Sequence, residues 1–117
     1  MATNPLNAPV LLKQARPFSG FSEGLRLGHM HLNVGDLERS LKFYQQFGME
    51  LMVGLMNSAD FVSWDGYHHH LGINVWAGRN AAPEQPDMYG LDFFEIKRPG
   101  LAAAEMQDPD GVTVRVL

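Results

Sequence analysis

One stretch of the chain, LERSLKFYQQF at residues 37–47, has the spacing of an amphipathic helix. Its apolar side chains recur on one stripe that includes Leu41 and Tyr44. Asp36 can cap the start of this helix, and Gly48 suits the left-handed residue that ends one. The stretches around it are shorter and typical of strands. We therefore expect an α+β fold built around this helix.

Six other stretches have the alternation or composition of β-strands. They are residues 25–34, 49–56, 59–64, 68–76, 89–97 and 112–117. A loop is expected at 77–87, and the turn DPDG at 108–111 precedes the last strand. The order is β-α-β-β-β, then a strand, a short Ala-rich stub and a final strand. The second part thus looks like a shortened copy of the first.

This order predicts one domain over residues 25–117. A first βαβββ module takes residues 25–77, and a truncated second module takes residues 88–117. Three prolines interrupt residues 1–24, so we expect an irregular N-terminal arm there.

Composition argues against several classes of protein. A net formal charge of −4 is unlike the basic face that general nucleic-acid binding needs. The chain has no cysteine, so disulfides and thiol catalysis are excluded. No apolar run approaches the roughly 20 residues of a membrane helix, and the N-terminus lacks the pattern of a secretory signal. We expect a cytoplasmic protein that binds neither nucleic acid nor a membrane.

All five histidines lie in two of the predicted strands and are candidate metal ligands. His29 and His31 share a face of the first strand, so one could bind a metal and the other support it. His68, His69 and His70 are consecutive in GYHHHLGINVW, and adjacent strand residues point to opposite faces. They therefore cannot all bind one ion in regular geometry. Either His69 faces inward, or His68 and His70 do.

Carboxylate and aromatic residues supply further candidates. Glu95, within DFFEIK, is a metal ligand, the partner of a cation such as Lys97 or Arg98, or an exposed residue at a sheet edge. Trp64 and Phe93 either belong to the core or line an aromatic pocket.

The stretch GHMHLNVGDLERSLKFYQQFGMEL resembles the opening unit of the vicinal oxygen chelate superfamily, which includes glyoxalase I, bleomycin resistance proteins and extradiol dioxygenases. GYHHHLGINVWAGR, GLDFFEI and DPDGVTVRV are similar to its catechol 2,3-dioxygenase-like branch. The resemblance is close over residues 25–97 and loose over 107–117. It implies two βαβββ modules around a divalent metal, here with the second module shortened. It also implies a small aromatic or catechol-like ligand, and iron(II) or manganese(II) as the usual metal.

Carried over residue by residue, the resemblance implies that His29 and His69 are metal ligands. The family's third ligand is a glutamate on the final strand; in this chain Glu95, water or a residue of a partner subunit is expected in its place. His70 is the alternative to His69 as the fourth-strand ligand. His31 and His70 are expected beside the metal as catalytic residues.

Two departures from the family pattern affect the expected chemistry. The family's glutamate falls on Arg115, whose guanidinium has no lone pair to offer a metal. The family's fifth-strand histidine falls on Phe93. We also expect the second module to lack a helix and the two strands after it. Together with Asn33 and Trp64, Phe93 and Arg115 are expected to line the substrate pocket.

The sequence leaves three interpretations open. The first is a metal-dependent enzyme most like an extradiol dioxygenase, with weak or absent activity. The second is a metal-free protein that sequesters a small ligand, as the bleomycin-resistance branch does. The third is compatible with either: a homodimer, with or without strand exchange, in which a partner chain completes the second module. Whether the chain is an enzyme is not decided by the sequence.

Overall fold

The computed structural model of the chain describes residues 4–83, 85 and 87–117. Within these residues the chain forms two helices and seven strands. In chain order they are α1 (Ala8–Gln14), β1 (Met30–Asn33), α2 (Leu37–Gln45), β2 (Glu50–Leu55), β3 (Ala59–Ser63), β4 (Leu71–Asn74), β5 (Phe93–Ile96), β6 (Ala104–Gln107) and β7 (Thr113–Val116).

The strands form two sheets with related topologies. The first sheet has the order β1-β4-β3-β2, and the second has the order β5-β7-β6. β1 pairs with β4 in parallel, and β3 pairs with β4 antiparallel. In the second sheet β5 pairs with β7 in parallel, and β6 pairs with β7 antiparallel. The second sheet therefore repeats three strands of the first, which confirms the α+β fold with a shortened second module.

The structure corrects two expectations about the second module and the arm. The second module lacks a helix and one strand rather than two, because the Ala-rich patch forms β6 by pairing with β7. The arm is not irregular throughout, since Ala8–Gln14 is helical. The Asn7 side chain accepts a hydrogen bond from the N–H of Val10 at 3.3 Å, and Pro9 lies in the first turn.

The helix α2 begins where its sequence predicts and ends at Gln45, two residues before the end of the predicted stretch 37–47. The Asp36 side chain accepts a hydrogen bond from the N–H of Arg39 at 2.7 Å, and Gly48 has a φ of 77°. The buried face of α2 includes Tyr44, whose ring centre lies 6.4 Å from the ring centre of Phe94 in β5. The core around it joins both sheets through apolar side chains: Leu32, Val34, Val62, Leu71 and Ile73 from the first module, and Ile96, Val114 and Val116 from the second.

The DPDG turn carries a buried carboxylate that contacts α2. Asp108 is 5% exposed, and one of its oxygens accepts a hydrogen bond from the Tyr44 hydroxyl at 2.6 Å. Its other oxygen accepts hydrogen bonds from the backbone N–H groups of Asp110 and Val112, each at 2.9 Å. Burial, followed by the Asp108 carboxylate, raises the pKa of Tyr44 far above its ordinary value, so the hydroxyl keeps its proton.

A second carboxylate of the same turn binds the start of α2. Asp110 accepts hydrogen bonds from the N–H of Gly35 at 3.0 Å, the Arg39 guanidinium at 2.9 Å and the Ser40 hydroxyl at 3.1 Å. We call the contacts of Asp108 and Asp110 the DPDG network. This network attaches the second module to the first.

None of the described helices is long and apolar enough to cross a membrane.

We expect Tyr44→Phe to lower the free energy of unfolding by about 1–3 kcal/mol, because it leaves the buried Asp108 carboxylate without one of its donors. Urea unfolding followed by circular dichroism would measure this. Tyr67→Phe is the control, because Tyr67 is 40% exposed, and its change should stay within about 0.5 kcal/mol. Equal stability of the two variants would show that the DPDG network does not stabilise the fold.

Candidate metal site

Three histidines come together at the edge of the first sheet where β1 and β4 begin. His29 and His31 lie just before and within β1, and His69 lies two residues before β4. One potential ligand atom from each lies within 4.8 Å of the other two. Parallel pairing explains the proximity, because neighbouring parallel strands start at the same edge of a sheet. We call these residues the histidine group.

Gly72 of β4 makes room for one ring of the histidine group. It lies opposite His31 in the β1–β4 register. A Cβ atom at Gly72 would lie 3.1–3.2 Å from three atoms of the His31 ring, which is closer than nearly all real Cβ contacts. The absence of a side chain at Gly72 therefore allows His31 to lie flat over β4.

The spacing of His31 and His69 fits a transition-metal ion. The Nε2 atoms of His31 and His69 are 3.2 Å apart. Two imidazole nitrogens bound to one ion at about 2.1 Å would lie roughly 3.0–3.4 Å apart in octahedral or tetrahedral geometry. The ring of His29 completes the group, with its centre 4.3 Å from that of His69 and 5.4 Å from that of His31.

The environment of His31 and His69 favours neutral rings. Burial, and then the neighbouring histidines, lower the pKa of His69 to about 4. Burial, and then His29, also lower the pKa of His31. Neutral imidazole is the form that binds metals, so the lone pairs are available at neutral pH.

The three consecutive histidines do not follow regular strand alternation, because β4 begins only at Leu71. His68 lies on the same side as His69, and their Nδ1 atoms are 2.8 Å apart. His70 lies elsewhere, with its Nδ1 2.7 Å from the Ser63 hydroxyl. The alternative that paired His68 and His70 on one face is therefore wrong. Regular pleating, on which it rested, is absent at these three residues.

Two residues expected at the site instead lie away from the histidine group. His70, a predicted catalytic residue, packs between the rings of Trp64 and Tyr67, at centroid distances of 5.3 and 4.6 Å. Trp64 donates a hydrogen bond to the Phe47 carbonyl at 2.8 Å, so it supports the segment after α2.

The residues expected from the second module lie on the exposed face of the second sheet. Glu95 of β5 is exposed and lies opposite Arg115 in the β5–β7 register. Arg115 pairs with Glu105 at 2.7 Å, and its guanidinium lies 3.7 Å from the centre of the Phe93 ring. Among the described residues, Glu95 belongs to no cluster of metal-ligating side chains with the histidines. Its place on a different sheet separates it from them.

A cavity of about 770 Å³ adjoins the histidine group. Its walls come from β1, from the loop between β4 and β5, and from the second module, and they include His31, Asn33, Ala81, Met88, Gln107 and Thr113. The volume is in the range of small-molecule sites. Of the predicted pocket residues, Asn33 lines this cavity, whereas Trp64, Phe93 and Arg115 are not among its lining residues.

Sequence reasoning missed several residues of the site. His68 was part of a recognised triplet, but strand alternation was a poor guide to its position. The cavity residues Ala81, Met88, Gln107 and Thr113 carry no local signal, because only the packing of the two sheets brings them together.

Comparisons with known proteins agree with this architecture. The family model of the Glyoxalase/Bleomycin resistance protein/Dioxygenase superfamily matches residues 26–90, more than half of the chain. A catechol-2,3-dioxygenase of Bacillus subtilis (strain 168) is 44% identical over 75 residues, which are 62% of this chain but only 26% of that protein. The chain therefore matches about a quarter of that relative.

A solved structure supports the fold independently. The crystal structure of lactoylglutathione lyase from Agrobacterium tumefaciens superimposes with a TM-score of 0.52, covering 86% of this chain and 94% of that one. At 16% sequence identity, this likeness concerns the fold alone. With the family match over β1 to β4, it leads to one conclusion: the chain belongs to the Glyoxalase/Bleomycin resistance protein/Dioxygenase superfamily.

Proposed function

We propose that this protein binds a divalent metal ion through His29, His31 and His69 and takes a small catechol-like ligand in the adjoining cavity. Extradiol cleavage, at a low rate, is the reaction proposed. The observation that carries the proposal is the convergence of three imidazoles on one point beside a cavity of ligand size. The partial likeness to a catechol-2,3-dioxygenase supports the choice of ligand.

The donor set bears on which metal is bound. Imidazole suits iron, zinc, copper and nickel, and iron(II) agrees with the resemblance to dioxygenases. A bound iron(II) would supply open positions for a catecholate and for O₂. His31 belongs to both the histidine group and the cavity wall, so it would bring metal and ligand together. Asn33, on the same wall, offers an amide that can bind a ligand hydroxyl.

The expected rate is low because, over the part of the chain that the structure describes, no carboxylate belongs to the histidine group. Glu95 lies on the other sheet, and Arg115 is engaged by Glu105. With three neutral ligands, the metal would keep more positive charge than with two histidines and a glutamate. Such a site binds an anionic catecholate well, but it places less electron density on the metal for reaction with O₂.

The second candidate is a metal-free protein that sequesters a small ligand. The large cavity and the absence of a carboxylate in the histidine group favour it. Metal content distinguishes the two candidates.

We expect protein purified without chelators to hold about one metal ion per chain, and His69→Ala to abolish this binding, because His69 is the most buried member of the histidine group. Elemental analysis measures the metal, and an oxygen electrode measures slow O₂ uptake with catechol. His70→Ala is the matched control and should retain the metal. Metal-free wild-type protein that still binds catechol would favour the second candidate, and metal retained by His69→Ala would refute the ligand assignment.

We expect Gly72→Ala to weaken metal binding by about tenfold or more, the scale seen when the support of a ligand is lost. The added methyl group would displace the His31 ring. Titration with Zn²⁺ against a chromophoric chelator measures the affinity. Gly54→Ala is the matched control, because its methyl group also meets a side chain at 3.1 Å, that of Asp60, in the same sheet. Equal affinities of the two variants would contradict the role of Gly72.

We also propose a homodimer in which the N-terminal arm contacts the partner. Every residue from 4 to 29 is exposed, including eight large apolar side chains. The radius of gyration is 16.4 Å, against roughly 13 Å for a compact chain of this length. The arm, residues 1–24, carries two basic and one acidic side chain, whereas residues 25–117 carry seven basic and twelve acidic ones. A basic, apolar arm is thus complementary to an acidic partner surface. Strand exchange and a cytoplasmic location stay predictions.

We expect the wild-type chain to be a dimer at micromolar concentration, and the variant with Leu11→Ser and Phe21→Ser to be a monomer, because it loses apolar contacts of the arm. Light scattering coupled to size-exclusion chromatography measures the mass. Met56→Ser, which changes a still more exposed apolar residue outside the arm, should remain dimeric. A monomeric wild-type chain would refute the dimer.

A further inference from the structure

Both ring nitrogens of His69 have a nitrogen neighbour. Its Nε2 lies 3.2 Å from Nε2 of His31, and its Nδ1 lies 2.8 Å from Nδ1 of His68. A neutral imidazole carries one proton and one lone pair, on different nitrogens. The proton of His69 can therefore face either His68 or His31, and only one of these arrangements leaves Nε2 free to bind a metal.

We infer that His68 is a positioning residue that holds the proton of His69 on Nδ1. In this arrangement Nδ1–H of His69 donates to Nδ1 of His68, and the lone pair on Nε2 of His69 points at His31. The inference rests on the proposed metal site. A metal-binding histidine usually donates its second ring N–H to a carboxylate or a carbonyl. Here the acceptor of that hydrogen bond is His68.

The contacts of His68 favour this role over that of a fourth ligand. His68 does not belong to the histidine group, although its ring centre is only 4.6 Å from that of His69. The Tyr67 ring packs against its other side, with the ring centres 4.1 Å apart. Its Nδ1 is directed at the Nδ1 of His69 rather than at the point where His29, His31 and His69 converge.

His70 cannot play the same part, because its Nδ1 has other partners. It accepts the backbone N–H of Trp64 at 3.4 Å and faces the Ser63 hydroxyl at 2.7 Å. The three consecutive histidines thus have different roles: His68 is the positioning residue, His69 is a candidate ligand, and His70 binds β3.

The inference has a consequence for His31. If Nε2 of His69 carries the lone pair, the 3.2 Å contact requires the proton of His31 to lie on its own Nε2. Without metal, His31 would therefore donate to His69. Metal binding would then move the proton of His31 to its Nδ1, while the tautomer of His69 would stay the same.

Two substitutions of His68 separate the hydrogen bond from packing. His68→Asn keeps an acceptor, since the amide oxygen can occupy nearly the position of Nδ1, whereas His68→Leu has none. His68 is exposed, so both variants should fold, which circular dichroism would verify. In metal-free protein, ¹⁵N NMR should find His69 protonated at Nδ1 in the wild type and in His68→Asn, and a mixture of tautomers in His68→Leu. In the Zn²⁺ titration, His68→Leu should bind about 10–100-fold more weakly, and His68→Asn should stay close to the wild type.

The possible outcomes distinguish this inference from the proposed function. An unchanged tautomer of His69 in His68→Leu would overturn the inference, whatever the protein does with Zn²⁺. Equal weakening of Zn²⁺ binding in both variants would also overturn it, because that result indicates packing. The expected tautomers with no Zn²⁺ binding by the wild type would refute the metal site but support the hydrogen bond between His68 and His69.

Discussion

The hydrogen bond from Tyr44 to Asp108 joins the two halves of the molecule at their most buried point. A buried carboxylate is costly unless donors surround it, and Asp108 has the Tyr44 hydroxyl and two backbone N–H groups. The second sheet has only three strands and no helix of its own, and Tyr44 of α2 packs near it, with its ring centre 6.4 Å from that of Phe94. Since the cavity lies between the modules, the position of its walls depends on the hydrogen bond from Tyr44 to Asp108.

The histidine group depends on a different constraint, the parallel pairing of β1 with β4. That pairing brings residues almost forty positions apart in the chain to one edge of the sheet, and Gly72 lets the His31 ring lie close to β4. All three histidines come from the first module. A shortened second module therefore leaves the histidine group complete, while the position to which the family pattern assigns its carboxylate holds Arg115.

Local sequence patterns predicted the parts of the fold that local interactions determine. Asp36, Gly48 and the apolar stripe predicted α2 correctly, since caps and periodicity act within one helix. The Ala-rich patch carried no strand signal, yet it forms β6, because hydrogen bonds to β7 override a weak local preference. For His68, His69 and His70, the prediction from side-chain alternation required a strand that begins at residue 68, but β4 begins at Leu71. Strand ends depend on pairing partners, which are distant in the chain.

The sequence by itself determined the order of elements in the first module, the family resemblance and the presence of five histidines in two segments, because these follow from residue types and their spacing. It also showed that Arg115 cannot replace a glutamate as a ligand, since this follows from the chemistry of one side chain. The tertiary structure alone decided that His29, His31 and His69 lie together, that Nδ1 of His68 contacts Nδ1 of His69, and that Glu95 lies on the other sheet. Those facts depend on strand register and on bends before strands, which arise only when distant segments pair.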